Sequence, residues 1–440
     1  MCGISAVING TREQSEAMAY AIRRRGITSD TTEHGDLTVS FVHLPIVEDV
    51  KQPCVHGDTT VWLNGFISNW KELCSKYRVT FENDTQYLAY HLDNNRPRSE
   101  LNGFFAVLYY SNGKTQCFTD RYGIKQLYTY QQGHTTFICS EVKGLKAVID
   151  LKIDFDAMED WEYSLGVMTE HTIYTGVERI ICLPTEMPAK LTVDEVSYQE
   201  ARDRLLLLFG ISIRRNRYEG AGCYLSGGVD SGMLAHWMDA SYCFSVDYLT
   251  ELSEIDNIKM NTMGVHYTFI DNHISKCNYP IKTIQALDDL KVGSCYTNFA
   301  IAELASRFCK VMYSGAGGDE VFNGYTHRYD RPINDVIRRT DREGKQYHMT
   351  HQEYDWRYLR GILVVEDRMS GWHTMETRYP LLDNDFVDYA LSLPDEYLNN
   401  KRILKDISGL HPNVTSGKKK GFCNPHFTNA EWVKFCKENK

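Results

Sequence analysis

The segment AGCYLSGGVDSGMLAHWM, residues 221–238, constrains the fold more than any other. An apolar strand pattern runs into Ser226-Gly227-Gly228 and out into a helix pattern. Glycines let backbone N–H groups close around phosphate oxygens, and the start of the helix adds the positive end of its dipole. The Gly-Lys-Ser/Thr ending of a Walker loop is absent, so no lysine is on hand for a terminal phosphate. Asp230 sits where a Mg²⁺ ion would be needed to neutralise a pyrophosphate. A plain strand–helix turn also accepts Ser-Gly-Gly. The agreement of strand, turn chemistry, acid and helix favours phosphate binding.

A second segment, KVMYSGAGGDEVFNGY (310–325), repeats the plan with the paired acids Asp319 and Glu320. Around these two segments, strand and helix patterns alternate. The helix QEARDRLLLLFGISIRR comes first, then CFSVDYL, EIDNIKMNTM and FAIAELASRF. That rhythm predicts a parallel sheet with helices on both faces. Strand ends gather at one edge of such a sheet, where ligands bind. Asp230 and Asp319 are then partners for one Mg²⁺. The remainder, to Lys440, reads as mostly helical with loops.

The first 150 residues differ. ISAVI, LTVSFVHL, TTVWLNGF, FFAVLYY and HTTFICSE are short strand patterns broken by Gly, Asn and Asp. YSNGKTQCF carries an Asn-Gly hairpin signal. Two helix patterns, QSEAMAYAIRRR and DTQYLAYHLDN, interrupt them. Many antiparallel strands with few helices predict a layered α+β domain. A chain of 440 residues exceeds one comfortable core. The expected division is a first domain over residues 1–190 and a second over 191–440.

Composition sets limits on partners and setting. The net charge of −10 argues against broad nucleic-acid or anionic-membrane binding, with Lys418-Lys419-Lys420 a local basic exception. The 13 cysteines include no Cys-x-x-Cys pair, and the N-terminus lacks a secretory pattern, so reduced thiols in the cytoplasm are expected. The longest apolar run, LLLLFGISI, is too short to span a membrane. His348 and His351 have a spacing that suits a metal, but no partner ligands stand nearby.

Several of these motifs carry a family resemblance. SGGVDS resembles the pyrophosphate loop of the ATP pyrophosphatases. With SGAGGDEVFNGY, METRYPLLD and the tail KKKGF, it resembles the synthetase domain of glutamine-dependent asparagine synthetases. MCGI, LNGFISN, NDTQ, DRYGIKQLY and SEVKGL resemble that family's glutaminase domain in order and spacing. The resemblance covers residues 1 to about 425. It implies an αββα layered N-terminal-nucleophile domain followed by an α/β adenylating domain of ATP-pyrophosphatase type.

The opening MCGISAVING then gains a meaning. A cysteine at position 2 has no required role by itself. In the family, Met1 is removed and Cys2 attacks the side-chain amide of glutamine. A free thiol titrates near ~8.5 and an α-amine near ~7.7–8.0, so the amine can act as the thiol's own base near neutral pH. The resemblance assigns the oxyanion donors to Asn64 and the N–H of Gly65, although Asn-Gly is also a common hairpin turn. It assigns the glutamine α-amine to Asp84, which also reads as a helix N-cap. His43 aligns with the glutamine-binding position.

For the second domain, the resemblance implies that ATP activates a carboxylate as an acyl-adenylate, which ammonia converts to an amide with AMP and pyrophosphate. ATP contacts fall on Leu225, Ser226, Gly227, Gly228, Asp230, Ser231, Val246, Ser314 and Gly315, with Mg²⁺ on Asp230 and Asp319. Lys419 aligns with a lysine that stabilises pentavalent phosphate charge; a run of lysines is otherwise an ordinary solvated surface. Glu376 and Arg378 would order the site or bind substrate. A sealed ammonia passage is expected between the domains.

Four positions depart from the family pattern. His43 stands where an arginine usually grips glutamine's carboxylate, and an imidazole cannot form that bidentate fork. Phe66 stands where an acid often follows Asn-Gly. RRRGITSD lacks the usual proline. Ala316 replaces the carboxylate usual at the third position of SGAGGDE. The expected substrates are glutamine, ATP and a carboxylate, foremost aspartate, in a cytoplasmic enzyme that could pair as a homodimer. The alternatives are amidation of another carboxylate, use of free ammonia with Cys2 idle, and a degenerate nucleotide-binding homologue.

Overall fold

The computed structural model describes residues 1–46, 50–155, 157, 172–180, 191–247, 265–270, 279–288, 295–325, 336–340, 346–416, 434 and 438. Among the described residues of the first half, ten strands form two sheets. They are β1 (Gly3–Ile8), β2 (Thr28–His34), β3 (Leu37–His43), β4 (Cys54–His56), β5 (Thr59–Ile67), β6 (Gly103–Ser111), β7 (Lys114–Thr119), β8 (Leu127–Gln132), β9 (Thr135–Cys139) and β10 (Val177–Ile180). One sheet has the order β10-β8-β9-β1-β3-β2 and the other β4-β5-β6-β7.

The layering follows from which faces are apolar. Ile4, Ala6, Val39, Phe41, Trp62 and Leu108 meet between the two sheets. On the outer face of the six-stranded sheet, Val7 and Val42 pack against helices α1 (Arg12–Ala21) and α4 (Val142–Lys146). On the outer face of the other, Leu63 and Val107 pack against α2 (Trp70–Tyr77) and α3 (Asp84–Asp93). The order is helix, sheet, sheet, helix, as the αββα expectation required. Consecutive residues of β1 are buried on both sides because each face has a layer to cover.

Local signals hold in most places. Asn112-Gly113, at φ +52° and +73°, turns β6 into β7. Thr11 and Gln14 form a reciprocal capping box at the start of α1. The QSEAMAYAIRRR pattern does not run to its end: the α-helix stops at Ala21, and Arg23–Arg25 form a separate 3₁₀ turn.

The second half is built on a five-stranded parallel sheet with order β13-β12-β11-β14-β17. Its strands are β11 (Gly222–Tyr224), β12 (Tyr242–Asp247), β13 (Val265–Ile270), β14 (Val311–Tyr313) and β17 (Glu376–Arg378). Helices α5 (Tyr198–Asn216) and α6 (Val229–Trp237) cover one face, where Leu205, Phe209, Leu234 and Cys223 meet. Helices α7 (Tyr279–Leu287), α8 (Cys295–Ala305) and α9 (His351–Trp372) cover the other, through Phe244, Ile284, Phe299, Met312 and Val364. This second cluster also contains Met18 and Val142, so one apolar core continues across both halves.

One expectation needs correction. The stretch after Tyr325 is not only helix and loop: β15 (Val336–Thr340) and β16 (Gln346–Thr350) pair antiparallel. The pattern EIDNIKMNTM lies outside the described residues.

A buried ionic joint links the halves. Arg25 Nη1 lies 2.7 Å from Glu141 Oε1 and 3.1 Å from Asp367 Oδ2 on α9. Lys125 Nζ lies 2.9 Å from Asp367 Oδ1. Arg368 donates to the Ser140 carbonyl at 2.9 Å. Charges this deeply buried persist only when paired, so the joint fixes the register of the two domains.

Candidate functional sites

Cys2 opens β1's strand path and is buried. Its Sγ accepts from the Leu44 N–H at 3.5 Å. Arg25 Nε donates to its carbonyl at 2.7 Å. Burial pushes the thiol pKa up. The same burial lowers the Met1 amine to about 5, because the charged form loses its hydration. Beside the thiol is a cavity of ≈ 50 Å³. Its walls include His43, Gly65, Phe66 and Asp84 of the first half and Glu376 and Arg378 of the second.

Asn64 and Gly65 are not a hairpin turn. They lie inside β5, paired with Ala106 and Phe105 of β6. Gly65 has φ +129°, and a Cβ there would run into the Phe104 carbonyl oxygen, so no other residue fits without moving the strand. Asn64 is fully buried, and neither its Oδ1 nor its Nδ2 has a hydrogen-bond partner. An amide left unsatisfied in this way is costly unless a guest supplies the missing bond.

Asp84 is not the N-cap of α3. Asn83 is, with its side chain accepting from the Gln86 N–H at 2.8 Å. Asp84, one position on, is thereby freed to face the cavity, where its Oδ2 accepts from the Ile67 N–H at 3.0 Å. Burial raises its pKa to about 6. His43 ends β3 and lines the cavity. Phe66 lies under the Arg378 guanidinium, 4.2 Å from the ring centre. Arg378 also donates from Nε to Glu376 at 2.9 Å and from Nη1 to the Asn216 carbonyl at 3.1 Å.

The two glycine turns of the second half leave adjacent strands, β11 and β14, at the same edge. Ser226 and Ser231 hydroxyls lie 3.0 Å apart, and the Ser226 N–H donates to Ser231 Oγ at 3.1 Å, which closes the first turn on itself. Leu225 donates to the Phe244 carbonyl at 2.8 Å. Gly227 and Gly228 complete the turn, and Val246 lies half-buried on the neighbouring β12. In the second turn, Ser314 donates from its N–H to the Arg378 carbonyl at 3.0 Å. The turns touch: a Cβ at Gly315 would meet Asp230 Cβ at 2.9 Å, and one at Gly318 would strike Asp230 Oδ1. Ala316, between these two glycines in the chain, donates from its N–H to Ser314 Oγ at 3.2 Å.

Asp230 and Asp319 do converge, as the sequence predicted. Between them lies the ammonium of Lys401, a residue the sequence reading did not single out. Its Nζ is paired with Asp230 Oδ2 and lies 2.6 Å from Asp319 Oδ1. Burial works against its charge, yet the two carboxylates outweigh burial and hold its proton more firmly than on a free lysine. Carboxylate oxygens suit Mg²⁺, which takes one or two from a protein and fills its shell with phosphate oxygens and water. The described residues hold no cluster of three or more His, Cys, Asp or Glu side chains able to bind a metal. Lys419, with Lys418 and Lys420, lies outside the described residues. Among those residues no helix is long and apolar enough to cross a membrane, and Cys2, Cys54, Cys74, Cys117, Cys139, Cys223, Cys243 and Cys309 are free thiols.

Comparison with known proteins matches both halves. Residues 1–198 fit the family model of the glutamine amidotransferase domain, and residues 218–434 that of asparagine synthase. The putative asparagine synthetase (glutamine-hydrolyzing) 1 of Methanocaldococcus jannaschii is 26% identical over 391 residues, spanning 82% of this chain and 70% of that protein. Asparagine synthetase (glutamine-hydrolyzing) 1 of Bacillus subtilis is 27% identical over 382 residues, spanning 76% and 60%. The Rattus norvegicus asparagine synthetase (glutamine-hydrolyzing) is 23% identical over 388 residues, spanning 79% and 66%.

Proposed function

Since the chain belongs to the glutamine-dependent asparagine synthetase family, with an amidotransferase domain ahead of an ATP-using synthetase domain, we propose that it converts aspartate to asparagine through an acyl-adenylate, at residues identified below. The observation that carries the reading is the shared cavity. Cys2, Gly65 and Asp84 line one cavity together with Glu376 and Arg378, so the thiol of one domain abuts the sheet of the other.

In the amidotransferase domain, taken as residues 1–190, removal of Met1 gives Cys2 a free amine. The amine accepts the thiol proton, and sulfur attacks the glutamine side-chain carbonyl. The Asn64 amide and the Gly65 N–H receive the oxyanion; Asn64 has unsatisfied capacity for that bond. Asp84 binds the α-amine of glutamine. His43 takes the carboxylate end and, lacking a fork, grips it less firmly than an arginine would. Water then releases glutamate from the thioester, and ammonia passes toward the second domain.

In the synthetase domain, taken as residues 191–440, the turn Leu225–Gly228 and Ser231 cradle the pyrophosphate portion of ATP. Val246, Ser314 and Gly315 flank the rest of the nucleotide. Asp230 and Asp319 are the residues that would hold Mg²⁺. When bound, that ion offsets negative charge on the leaving pyrophosphate. Lys419 would add positive charge at the α-phosphate. Aspartate's side-chain carboxylate attacks that phosphate and pyrophosphate leaves; ammonia then displaces AMP. The reading includes a cytoplasmic, homodimeric enzyme.

Ala316 favours a second version, in which another carboxylic acid is amidated, because the acid usual at that position is missing. One experiment separates the two. Purified protein is given glutamine, ATP, Mg²⁺ and a series of carboxylic acids, with wild type and Cys2→Ala side by side. Asparagine, AMP and pyrophosphate from aspartate support the first version. The same products with a different acid alone support the second. Absence of AMP with every acid defeats both. Cys2→Ala should retain synthesis from ammonia and lose it from glutamine.

A further inference from the structure

Lys401 occupies an unusual position in the backbone as well as in the site. Asn400 and Lys401 are consecutive residues in the left-handed region, at φ +54° and +58°. Neither is glycine, and such conformations persist only where surrounding structure enforces them. Here the enforcement comes from the acid turn itself. The Asn400 N–H donates to the Asn323 carbonyl at 3.2 Å and the Lys401 N–H to the Phe322 carbonyl at 3.0 Å. The backbone that carries Lys401 is thus fastened to the backbone just beyond Asp319.

The side chain is buried, and its ammonium spans Asp230 of the first glycine turn and Asp319 of the second. Two carboxylates brought together out of water repel one another unless a cation lies between them. The chain's own cation, the Lys401 ammonium, meets that need. A divalent ion and an ammonium cannot both fill the gap between the same two acids. A nucleotide changes the balance, because its phosphates offer the ammonium a second set of anionic oxygens at the same sheet edge.

We propose that Lys401 is a resident cation that keeps the divalent-metal position closed in the nucleotide-free enzyme and moves onto the nucleotide's phosphates when the nucleotide and metal enter together. Metal binding then follows nucleotide binding in obligatory fashion. This rests on the assignment of the glycine turns to ATP made above.

The test is a titration of the full chain with Mn²⁺, a paramagnetic substitute for Mg²⁺, followed by the loss of its free-ion resonance signal. Wild type without nucleotide should take up no Mn²⁺ at the site and should take up one ion when ATP is added. Lys401→Met and the polar Lys401→Gln should each bind one Mn²⁺ without nucleotide, at least about tenfold more tightly than wild type, and adding Asp319→Asn should abolish the gain. The same two variants should bind ATP about ten- to a hundredfold more weakly, the scale of one lost charge-assisted contact. Opposite shifts for metal and nucleotide are not what a damaged fold produces. Equal nucleotide-free Mn²⁺ affinity in wild type and variants overturns the inference, as does failure of both variants to gain a site. Wild type that binds no ATP even with Mn²⁺ overturns the ATP assignment instead. The wild-type titration needs no variant to fold.

Discussion

Asp367 of the second domain receives Lys125 of the first at 2.9 Å on one oxygen and Arg25 at 3.1 Å on the other. All three side chains are almost wholly out of solvent. Asp367→Asn should therefore cost about 3–5 kcal/mol of stability, because two cations lose their shared anion. The double change Lys125→Met with Asp367→Asn should recover much of that loss, since the lysine no longer needs a partner. Denaturant unfolding of the four proteins in the cycle checks this. The single variant should also hydrolyse more glutamine per amide formed, as the joint between the domains loosens.

Asn64→Ala should lower glutamine hydrolysis by about 10²–10³-fold, as expected for loss of one oxyanion donor. It should leave ammonia-dependent synthesis intact. Gly65→Ala should do worse, because its Cβ would collide with the Phe104 carbonyl and push β5 out of register with β6. Steady-state rates with glutamine and with ammonia, measured on the same preparations, separate the two effects.

With Asp84 in its proposed role of binding the α-amine of glutamine, glutamine binding should depend on pH. The Asp84 carboxyl is raised to about 6 by burial, so its negative charge is lost as pH falls through that value. The KM for glutamine should rise steeply below pH 6, while the KM for ammonia-independent partners such as ATP should not follow the same curve. The stability effect has the opposite sense. A raised native pKa means that the folded state holds the proton more tightly than the unfolded one, so this group's contribution is fully present below about 4 and is lost as pH rises through about 6. Asp84→Asn should flatten both trends and should itself bind glutamine poorly at every pH.

Cys2 is the subject of a simpler prediction. A variant that retains Met1 should be inactive with glutamine and active with ammonia, since its sulfur has no adjacent free amine. Mass measurement of the intact chain, paired with the two assays, tests this directly.

The parallel sheet of the second half and the convergence of Asp230 on Asp319 were legible in the sequence because each is written in local patterns. Strand–glycine–helix segments fix a parallel edge, and alternating apolar runs fix the layers. What escaped has a common physical cause. β2, with the sequence TSDTTEH, is an edge strand with much of its surface exposed, so it carries no apolar alternation to betray it. Asp84 was readable as a cap because Asn and Asp cap equally well, and only the backbone decides which of Asn83 and Asp84 does so. Lys401 sits in NNKRILK, where nothing marks one lysine from another; its importance arises from a turn anchored to residues nearly eighty positions earlier. The wall formed by Glu376 and Arg378 likewise exists only once the two domains are docked.

That borrowed wall has a corollary. β17 supplies both a strand of the parallel sheet and one side of the chamber around Cys2. A change that reshapes Glu376 or Arg378 would simultaneously remodel the chamber around Cys2. Phe66, which lies under Arg378, is one such point, where a side chain of the first half packs directly on one of the second.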